Sequence, residues 1–445
     1  MIWHIGVFFA SDRISYFWIQ PHLLFKYYGF GWVQPWPGDG LYLHCGVLCV
    51  LAAFIAAGFL YRVSIALFFL GYTYTFLLDA GRWVNHTYLI CLFAGLLTII
   101  PAHRVLSLDA WLKQRRPPQT VPACALWILR LQMGVVYFFA GVAKLSPDWL
   151  HGEPMRVWLL TSQQPAAILR FFRLPQTVYT FAYTSLAFDL FIVPLLLWRR
   201  TRVVAFMVAA AFHIMNSQLF PLEVFPWLAL IATTLFFAPD WPRRWLGRIL
   251  PAPHTKSQHR VRPLSARSQT LVLSLATLYA TIQLLVPLRP FLHRGGVEWY
   301  EMEHRFCWRM LLESHRVRAY FHVTDPNSGK SQRIAASAFL NPAQWHLMGW
   351  RPDLIVQSAH YLARLAPVSG PKPIEVTAEV QAAINGRKPQ LIFDQTVNLA
   401  AEPAPFGRPH WLLEIHEPLP DLPPDPTFNP FAQVAAQSGD QQSPR

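Results

Sequence analysis

Long apolar runs separated by short basic loops constrain this chain more than any other feature of its sequence. A membrane-spanning helix needs roughly 20 consecutive, mostly apolar residues. The segments that approach this length are about 42–61, 63–80, 87–102, 122–144, 177–198, 201–219, 222–238 and 269–289. Apolar residues make up 53% of the chain and charged residues only 14%. The sequence therefore predicts a polytopic α-helical membrane bundle of about eight spans, and residues 1–10 are interpreted as the stump of a further, truncated helix.

The basic residues follow alternate apolar runs. They lie at Arg62, at 104–116, at 199–202 and at 243–267. Because cytoplasmic loops carry an excess of Lys and Arg, we assign these loops to the cytoplasm. The segments expected on the opposite side are 81–86, 145–176, the turn after Phe220 and everything beyond residue 290. This arrangement accounts for the formal net charge of +14 without nucleic acid as a partner.

The composition changes to that of a soluble domain beyond residue 290. Apolar and polar residues alternate over 374–380, as in a half-buried strand, and Asn-Gly at 385–386 predicts a hairpin turn. Residues 352–365 have a proline at the start and helical spacing of apolar residues. We therefore predict a transmembrane helical domain over 1–290 and an α+β or β-rich extramembrane domain over 291–417. The Pro-rich segment 418–445 is predicted to be disordered because it has little to bury.

The five cysteines show no spacing typical of a metal site or of a disulfide framework. We expect neither zinc nor disulfides. The short chain and the lack of an evident disulfide set favour a bacterial plasma membrane, with the candidate site and the C-terminal domain on the non-cytoplasmic side.

Lys144 ends the fourth apolar run, and two interpretations of it remain open. Its ammonium group can extend to the lipid headgroups and anchor the helix. Alternatively, Tyr137, Gly141 and Lys144 share one helical face, where the glycine lets another helix or a flat ligand approach. Apolar surroundings would lower the pKa of this lysine, because desolvation disfavours the ammonium. Lys144 is then a candidate general base near neutral pH.

Other ionisable residues lie within or at the ends of the apolar runs. Asp79, Arg82 and His86 are spaced for one helical face, if the helix continues that far. The structural alternative is a self-neutralising Asp–Arg pair, with Asn85 as a cap. Asp189 lies inside an apolar run and is expected to be protonated or hydrogen-bonded to a neighbouring helix, in a structural role.

A polar face is also predicted in the sixth apolar run. His213, Asn216 and Ser217 lie at i, i+3 and i+4, and Gln218 is adjacent. Such groups either hold neighbouring helices together or line a pocket, and the spacing favours neither alternative.

Four motifs carry a resemblance to a known family. They are "LLDAGRWVNHTYL" (77–89), "YFFAGVAKLSPDWLHGEPM" (137–155), "FHIMNSQLF" (212–220) and "PDWPRR" (239–244). Weaker similarity continues through "FCWRML" (306–311), "FLNP" (339–342) and "LIFDQ" (391–395). Over roughly 20–415 the chain resembles the vitamin K-dependent gamma-carboxylase family, whose membrane part is also called the horizontally transferred transmembrane domain.

The resemblance implies a reaction. In this family a vitamin K hydroquinone, or here menaquinol, reacts with O2 to give an epoxide through a strong base. The base removes a γ-proton from a glutamate, and the carbanion adds CO2. The implied partners are membrane lipid or quinone and a glutamate-containing protein or peptide, and no metal is required.

The resemblance also implies roles for individual residues. Lys144 matches the catalytic lysine, and Asn85 and His86 match the pair that positions the hydroquinone oxygen. The further candidates for cofactor binding are Tyr137, Gly141, His213, Asn216 and Gln218. Trp308 and Met310 are the candidates for binding the glutamate substrate.

The chain departs from the family pattern at three positions. Ala143 stands where animal members have a second lysine, Phe306 where a tyrosine is usual, and Arg309 where an aspartate is usual. The last two departures bear on peptide recognition more than on quinone chemistry. Three functions therefore remain open: a carboxylase, a quinol epoxidase or monooxygenase without carboxylation, and a non-catalytic lipid- or quinone-binding membrane protein.

Overall fold

The structure is a computed structural model that describes residues 2–104, 107–112, 121–162, 164–246, 265–292, 304–405, 407–414 and 416–419. The predicted disordered tail lies outside the described residues from position 420 onward. Most of the basic segment 243–267 lies outside them as well.

The first two thirds of the chain are helical. The helices are α1 (Ile2–Ala10), α2 (Gly40–Ala57), α3 (Tyr61–Leu77), α4 (Asn85–Ile99), α5 (Leu108–Leu112), α6 (Ala123–Ala143), α7 (Pro147–Leu150), α8 (Met155–Thr161), α9 (Ala166–Phe172), α10 (Pro175–Leu197), α11 (Arg202–Leu219), α12 (Phe225–Thr233), α13 (Trp241–Leu246) and α14 (Ala266–Leu285). Each of the predicted apolar runs contains one of these helices.

The predicted number of eight spans is not confirmed. Among the described residues, five helices are long and apolar enough to cross a membrane, namely α2, α6, α10, α11 and α14 with its 3-10 extension to Leu292. α4 and α12 are apolar but shorter. α12 begins only at Phe225, and a 3-10 turn follows it to Phe236, so the run predicted over 222–238 yields a short helix.

The C-terminal part forms a small antiparallel sheet with helices on it. The strands are β1 (His315–Asp325), β2 (Lys330–Ala335), β3 (Glu375–Ile384) and β4 (Gln390–Leu391), in the order β2-β1-β3-β4. The helices are α15 (Pro342–Met348) and α16 (Pro352–Leu365), and α16 matches the helix predicted over 352–365. Asn385 and Gly386 both adopt positive φ between β3 and β4, as the predicted hairpin turn requires.

One hydrophobic cluster contains residues of both the helical part and the C-terminal domain. Leu23 and Phe25, in the extended segment before α2, pack with Trp83 and with the buried faces of β1, β3 and α16. The Nε2 of Gln344 in α15 donates a hydrogen bond of 2.7 Å to the carbonyl oxygen of Leu23. These contacts hold the C-terminal domain over the start of α4, where the candidate site lies.

The predicted one-face arrangement of Asp79, Arg82 and His86 does not form, because α3 ends before Asp79. A 3-10 turn (Ala80–Arg82) follows, and the Asp79 carboxylate caps it by accepting a hydrogen bond of 2.8 Å from the Gly81 amide. His86 lies in the next helix, α4. The alternative of a self-neutralising Asp–Arg pair is not confirmed either. Asp79 and Arg82 are both described, and no ion pair joins them.

Candidate active site

A cavity of about 360 Å³ lies where one end of the helical bundle meets the C-terminal domain. Its wall combines the start of α4, the end of α6, the middle of α10, the end of α11 and the loop before α12. The segment 309–313 of the C-terminal part closes it on the remaining side. Residues from all four segments that the charge pattern assigned to the non-cytoplasmic side therefore meet here.

Lys144 is paired with a carboxylate inside this cavity. Its Nζ lies 2.5 Å from Oδ2 of Asp189 on α10, and each side chain is only 9% exposed. The Trp149 ring centroid lies 5.1 Å from the same nitrogen. The expected hydrogen bond between Asp189 and a neighbouring helix is confirmed, and its partner is Lys144 at the end of α6. Lys144 therefore has a charged partner in addition to its apolar surroundings.

Asn85 and His86 begin α4 and face the same cavity. The Nδ2 of Asn85 donates a hydrogen bond of 3.1 Å to the carbonyl oxygen of Arg309, while its buried Oδ1 has no hydrogen-bond partner within the described parts of the chain. The Nε2 of His86 lies 3.3 Å from Oε2 of Glu223, in a contact that lacks hydrogen-bond geometry. Both side chains therefore retain hydrogen-bonding capacity toward a ligand.

Glu223 is the functional candidate that sequence reasoning missed. It lies in the loop between α11 and α12 with a φ of 50°, in the left-handed region that glycine favours. Its pKa is lowered to about 2, chiefly by the contact with His86. The available signal was an ionisable residue inside a predicted apolar run, the same signal that singled out Asp189.

His213 and Asn216 on α11 line the cavity beside Tyr137 on α6. The hydroxyl of Tyr137 and Nε2 of His213 are 2.7 Å apart, both buried. The two alternatives for this face therefore coincide, because His213 joins two helices and also lines the pocket. Nδ1 of His213 is buried and has no hydrogen-bond partner in the described chain.

Three of the candidate residues do not line the cavity. Gly141 faces α10, where a Cβ added to it would lie 2.7 Å from Cδ2 of Leu190, so it serves the approach of a helix rather than of a ligand. Gln218 is exposed at the end of α11. Trp308 is fully buried and stacks on Tyr88 with ring centroids 5.1 Å apart. Periodicity and motif matching place a residue on an element but do not fix which side faces a pocket.

The segment 309–313 brings charged groups to the cavity. Arg309 lines it, and one of its terminal nitrogens lies 3.8 Å from Oε1 of Glu313. Nε of Arg309 is buried, and no described residue forms a hydrogen bond with it. Met310 lines the cavity as well. Position 309, where the resemblance leads us to expect an aspartate, therefore contributes an arginine to the cavity wall.

The cavity suits the hydroquinone that the resemblance implies. Its volume lies in the range of roughly 300–1,000 Å³ typical of small-molecule sites. Much of its wall is aromatic, from Trp83, Trp149, Trp158, Phe212, Phe220 and Phe225. Oδ1 of Asn85 can accept a hydrogen bond from a hydroxyl group of the ligand, and Nε2 of His86 can pair with a ring oxygen.

Comparison with known families agrees with this geometry. The HTTM domain matches residues 1–241, and the lumenal domain of vitamin K-dependent gamma-carboxylase matches residues 268–418. No solved structure matches the chain. The first match alone covers more than half of the 445 residues. The chain therefore belongs to the vitamin K-dependent gamma-carboxylase family.

Proposed function

We propose that this chain is a membrane carboxylase that couples the oxygenation of vitamin K hydroquinone or menaquinol to the addition of CO2 at the γ-carbon of a glutamate. Membership of the family implies a vitamin K cofactor and glutamate-containing protein substrates. The observation that carries the proposal is the convergence of Lys144, Asn85 and His86 on one largely apolar cavity. When bound, the reduced quinone supplies, with O2, a base strong enough to remove the γ-proton.

Asn85 and His86 would hold the hydroquinone by one ring oxygen. The side-chain amide and the imidazole can both donate hydrogen bonds, and a developing phenolate is stabilised by donors that are already oriented. Nδ2 of Asn85 also donates to the carbonyl oxygen of Arg309, which fixes the position of its side chain. Aromatic walls would exclude water and so protect a strong base from quenching.

Lys144 and Asp189 would accept the hydroquinone proton as a pair. Burying both charges of an ion pair is costly, and the side chains of Lys144 and Asp189 are both buried. A proton can therefore be held at Nζ of Lys144 or at Oδ2 of Asp189, which lie 2.5 Å apart. The neutral amine is the form that acts as a general base.

Arg309 is proposed to bind the carboxylate of the glutamate substrate. Arg309 lines the cavity on the side of the C-terminal domain, from which a peptide would approach, and its buried Nε has no hydrogen-bond partner among the described residues. A guanidinium group is well suited to this role because its planar donors match a carboxylate. We further propose that this side is non-cytoplasmic, as the family's lumenal domain suggests.

The test is a dual assay with detergent-purified protein, reduced vitamin K, O2, labelled CO2 and a glutamyl peptide. Wild type should form epoxide and incorporate label, and Lys144→Ala should lower both by about 10²–10⁴-fold. Lys330→Ala is the matched control, since Lys330 is exposed at the β1–β2 turn. Epoxide without label would support an epoxidase that does not carboxylate. Folded wild-type protein that forms no epoxide would overturn the proposal and favour a non-catalytic quinone-binding protein.

A further inference from the structure

Three metal-ligating side chains from separate parts of the chain meet beside the candidate active site. They are His4 of α1, His86 at the start of α4 and Glu223 in the loop before α12. One ligand atom from each lies within 4.8 Å of the others. Both histidines are buried, whereas Glu223 extends toward solvent. An ion would therefore have two fixed imidazole ligands and one route to water.

The rings of His4 and His86 pack edge to face, as aromatic rings commonly do. The ring centroids of His4 and His86 are 5.6 Å apart and their planes are nearly perpendicular, at 87°. Among the residues that the structure describes, none forms a hydrogen bond with the buried Nε2 of His86, although Oε2 of Glu223 lies only 3.3 Å away. A buried polar atom in this state costs free energy unless a further partner satisfies it. A bound cation would satisfy the imidazole and the carboxylate together.

There is space next to the cluster for an ion and its remaining ligand. A small cavity of about 50 Å³ adjoins it and is lined in part by His4, Thr87 and Glu223. This volume exceeds the roughly 10–15 Å³ that one water molecule needs. Two imidazoles and one carboxylate, with an open position for water, are a common donor set for Zn²⁺ and related divalent transition metals.

Two arginines oppose the binding of a cation here. One terminal nitrogen of Arg13 lies 3.4 Å from Oε1 of Glu223, and Arg82 also lines the small cavity. Their positive charge lowers the affinity for a dication. Arg13 contacts Oε1 of Glu223, however, so Oε2 remains available to a metal ion.

We propose that His4, His86 and Glu223 form a binding site for a divalent transition metal of the Zn²⁺ class. The site adjoins the candidate active site and shares His86 with it. A bound ion would occupy Nε2 of His86 and remove its ability to donate to a ring oxygen. Metal binding would therefore inhibit the proposed reaction, but the site itself does not depend on that reaction.

The test measures binding of Co²⁺ and Zn²⁺ to untagged, detergent-purified full chain after treatment with a chelator. Co²⁺ reports coordination by histidine through its visible absorption, and Zn²⁺ is measured by competition. Wild type should bind one equivalent, and His4→Gln, which preserves side-chain volume, should bind at least about tenfold more weakly, because even outer-shell changes cost that much. Arg13→Gln should bind more tightly, since it removes an opposing charge.

His22→Gln is the matched control, because His22 is an exposed histidine outside the cluster. It should bind Co²⁺ as wild type does. Thermal unfolding of each variant without metal separates lost ligation from lost folding, and Glu223→Gln provides a second ligand variant if His4→Gln is unfolded. The proposal is overturned if wild type binds no Co²⁺, or if folded His4→Gln and Glu223→Gln both bind it with wild-type affinity.

Discussion

The carboxylate of Asp148 accepts hydrogen bonds of 2.6 and 2.8 Å from the two terminal nitrogens of Arg387. Nδ2 of Asn385 donates a third, of 2.7 Å. Asp148 follows Lys144 by four residues in the chain, and Arg387 lies in the hairpin turn after β3. This buried pair therefore joins the C-terminal sheet to the segment that follows the proposed catalytic lysine.

Replacement of Arg387 by Ala should destabilise the protein by about 3–5 kcal/mol, because it leaves the buried carboxylate of Asp148 without a countercharge. Arg333→Ala is the control. Arg333 forms an ion pair with Glu379, but its side chain is 49% exposed, and such a pair is worth roughly 0–1 kcal/mol. Denaturant unfolding in detergent measures both variants. Equal effects would contradict the assignment of Arg387–Asp148 as the stronger link.

Asp189→Asn should abolish the proposed quinol oxidation without removing Lys144. The amide keeps the shape of the side chain but leaves the lysine without a proton-accepting partner, so the rate of epoxide formation should fall by about 10²–10⁴-fold. Ser185→Ala, one turn earlier on α10 and also in the cavity wall, is the control. A folded Asp189→Asn protein with wild-type turnover would show that Lys144 acts alone.

The double variant Lys144→Met/Asp189→Leu separates stability from catalysis. An apolar pair of similar volume often replaces a buried ion pair with no loss of stability. We therefore expect unfolding close to wild type and no epoxide formation. Severe destabilisation would instead mean that the pair is chiefly a structural link between α6 and α10.

The sequence predicted the class of fold and most of the site's polar residues, but not their partners. Lys144 and Asp189 were both recognised as ionisable residues in apolar runs, yet they lie 45 positions apart. Helical periodicity fixes which residues share a face and leaves open which helices meet. The Asn-Gly hairpin was predictable because a turn depends on local φ values, whereas its link to Asp148 depends on tertiary packing.

The missed and misplaced residues have a similar cause. Glu223 lies in a run that hydropathy assigns to a span. The structure places it in a loop instead, because its φ is positive and α12 begins only at Phe225. Gly141 was assigned to a ligand face and also to helix approach, and only the position of Leu190 decides between them. Trp308 matches a family motif, but its contact with Tyr88 is a long-range one.

Glu153 should make stability depend on pH between about 5 and 8. Burial raises the pKa of its carboxyl from 4.5 to about 7, and this outweighs the opposing effect of Arg156 at 3.1 Å. Between these values the folded state binds more protons than the unfolded state, so stability falls as pH rises through this window. Glu153→Gln should remove this loss. The free energy of unfolding of the variant, relative to wild type, should therefore rise by up to about 3 kcal/mol between pH 5 and pH 8. Thermal unfolding across this range is the measurement, and a gain that shrinks with rising pH would contradict the assignment.

Two glycines of α6 offer a direct comparison of helix packing. A Cβ at Gly141 would lie 2.7 Å from Cδ2 and 3.1 Å from the backbone nitrogen of Leu190, whereas one at Gly134 would meet Val193 at an ordinary 3.7 Å. Both Gly→Ala changes raise helix propensity by up to about 1 kcal/mol, so their difference isolates packing. Gly141→Ala should destabilise by about 1–3 kcal/mol, since α10 must move away and carry Asp189 from Lys144. The free energy of unfolding and the rate of epoxide formation should both fall in Gly141→Ala and not in Gly134→Ala. Equal values for the two variants would show that the approach of α6 to α10 does not hold the Lys144–Asp189 pair together.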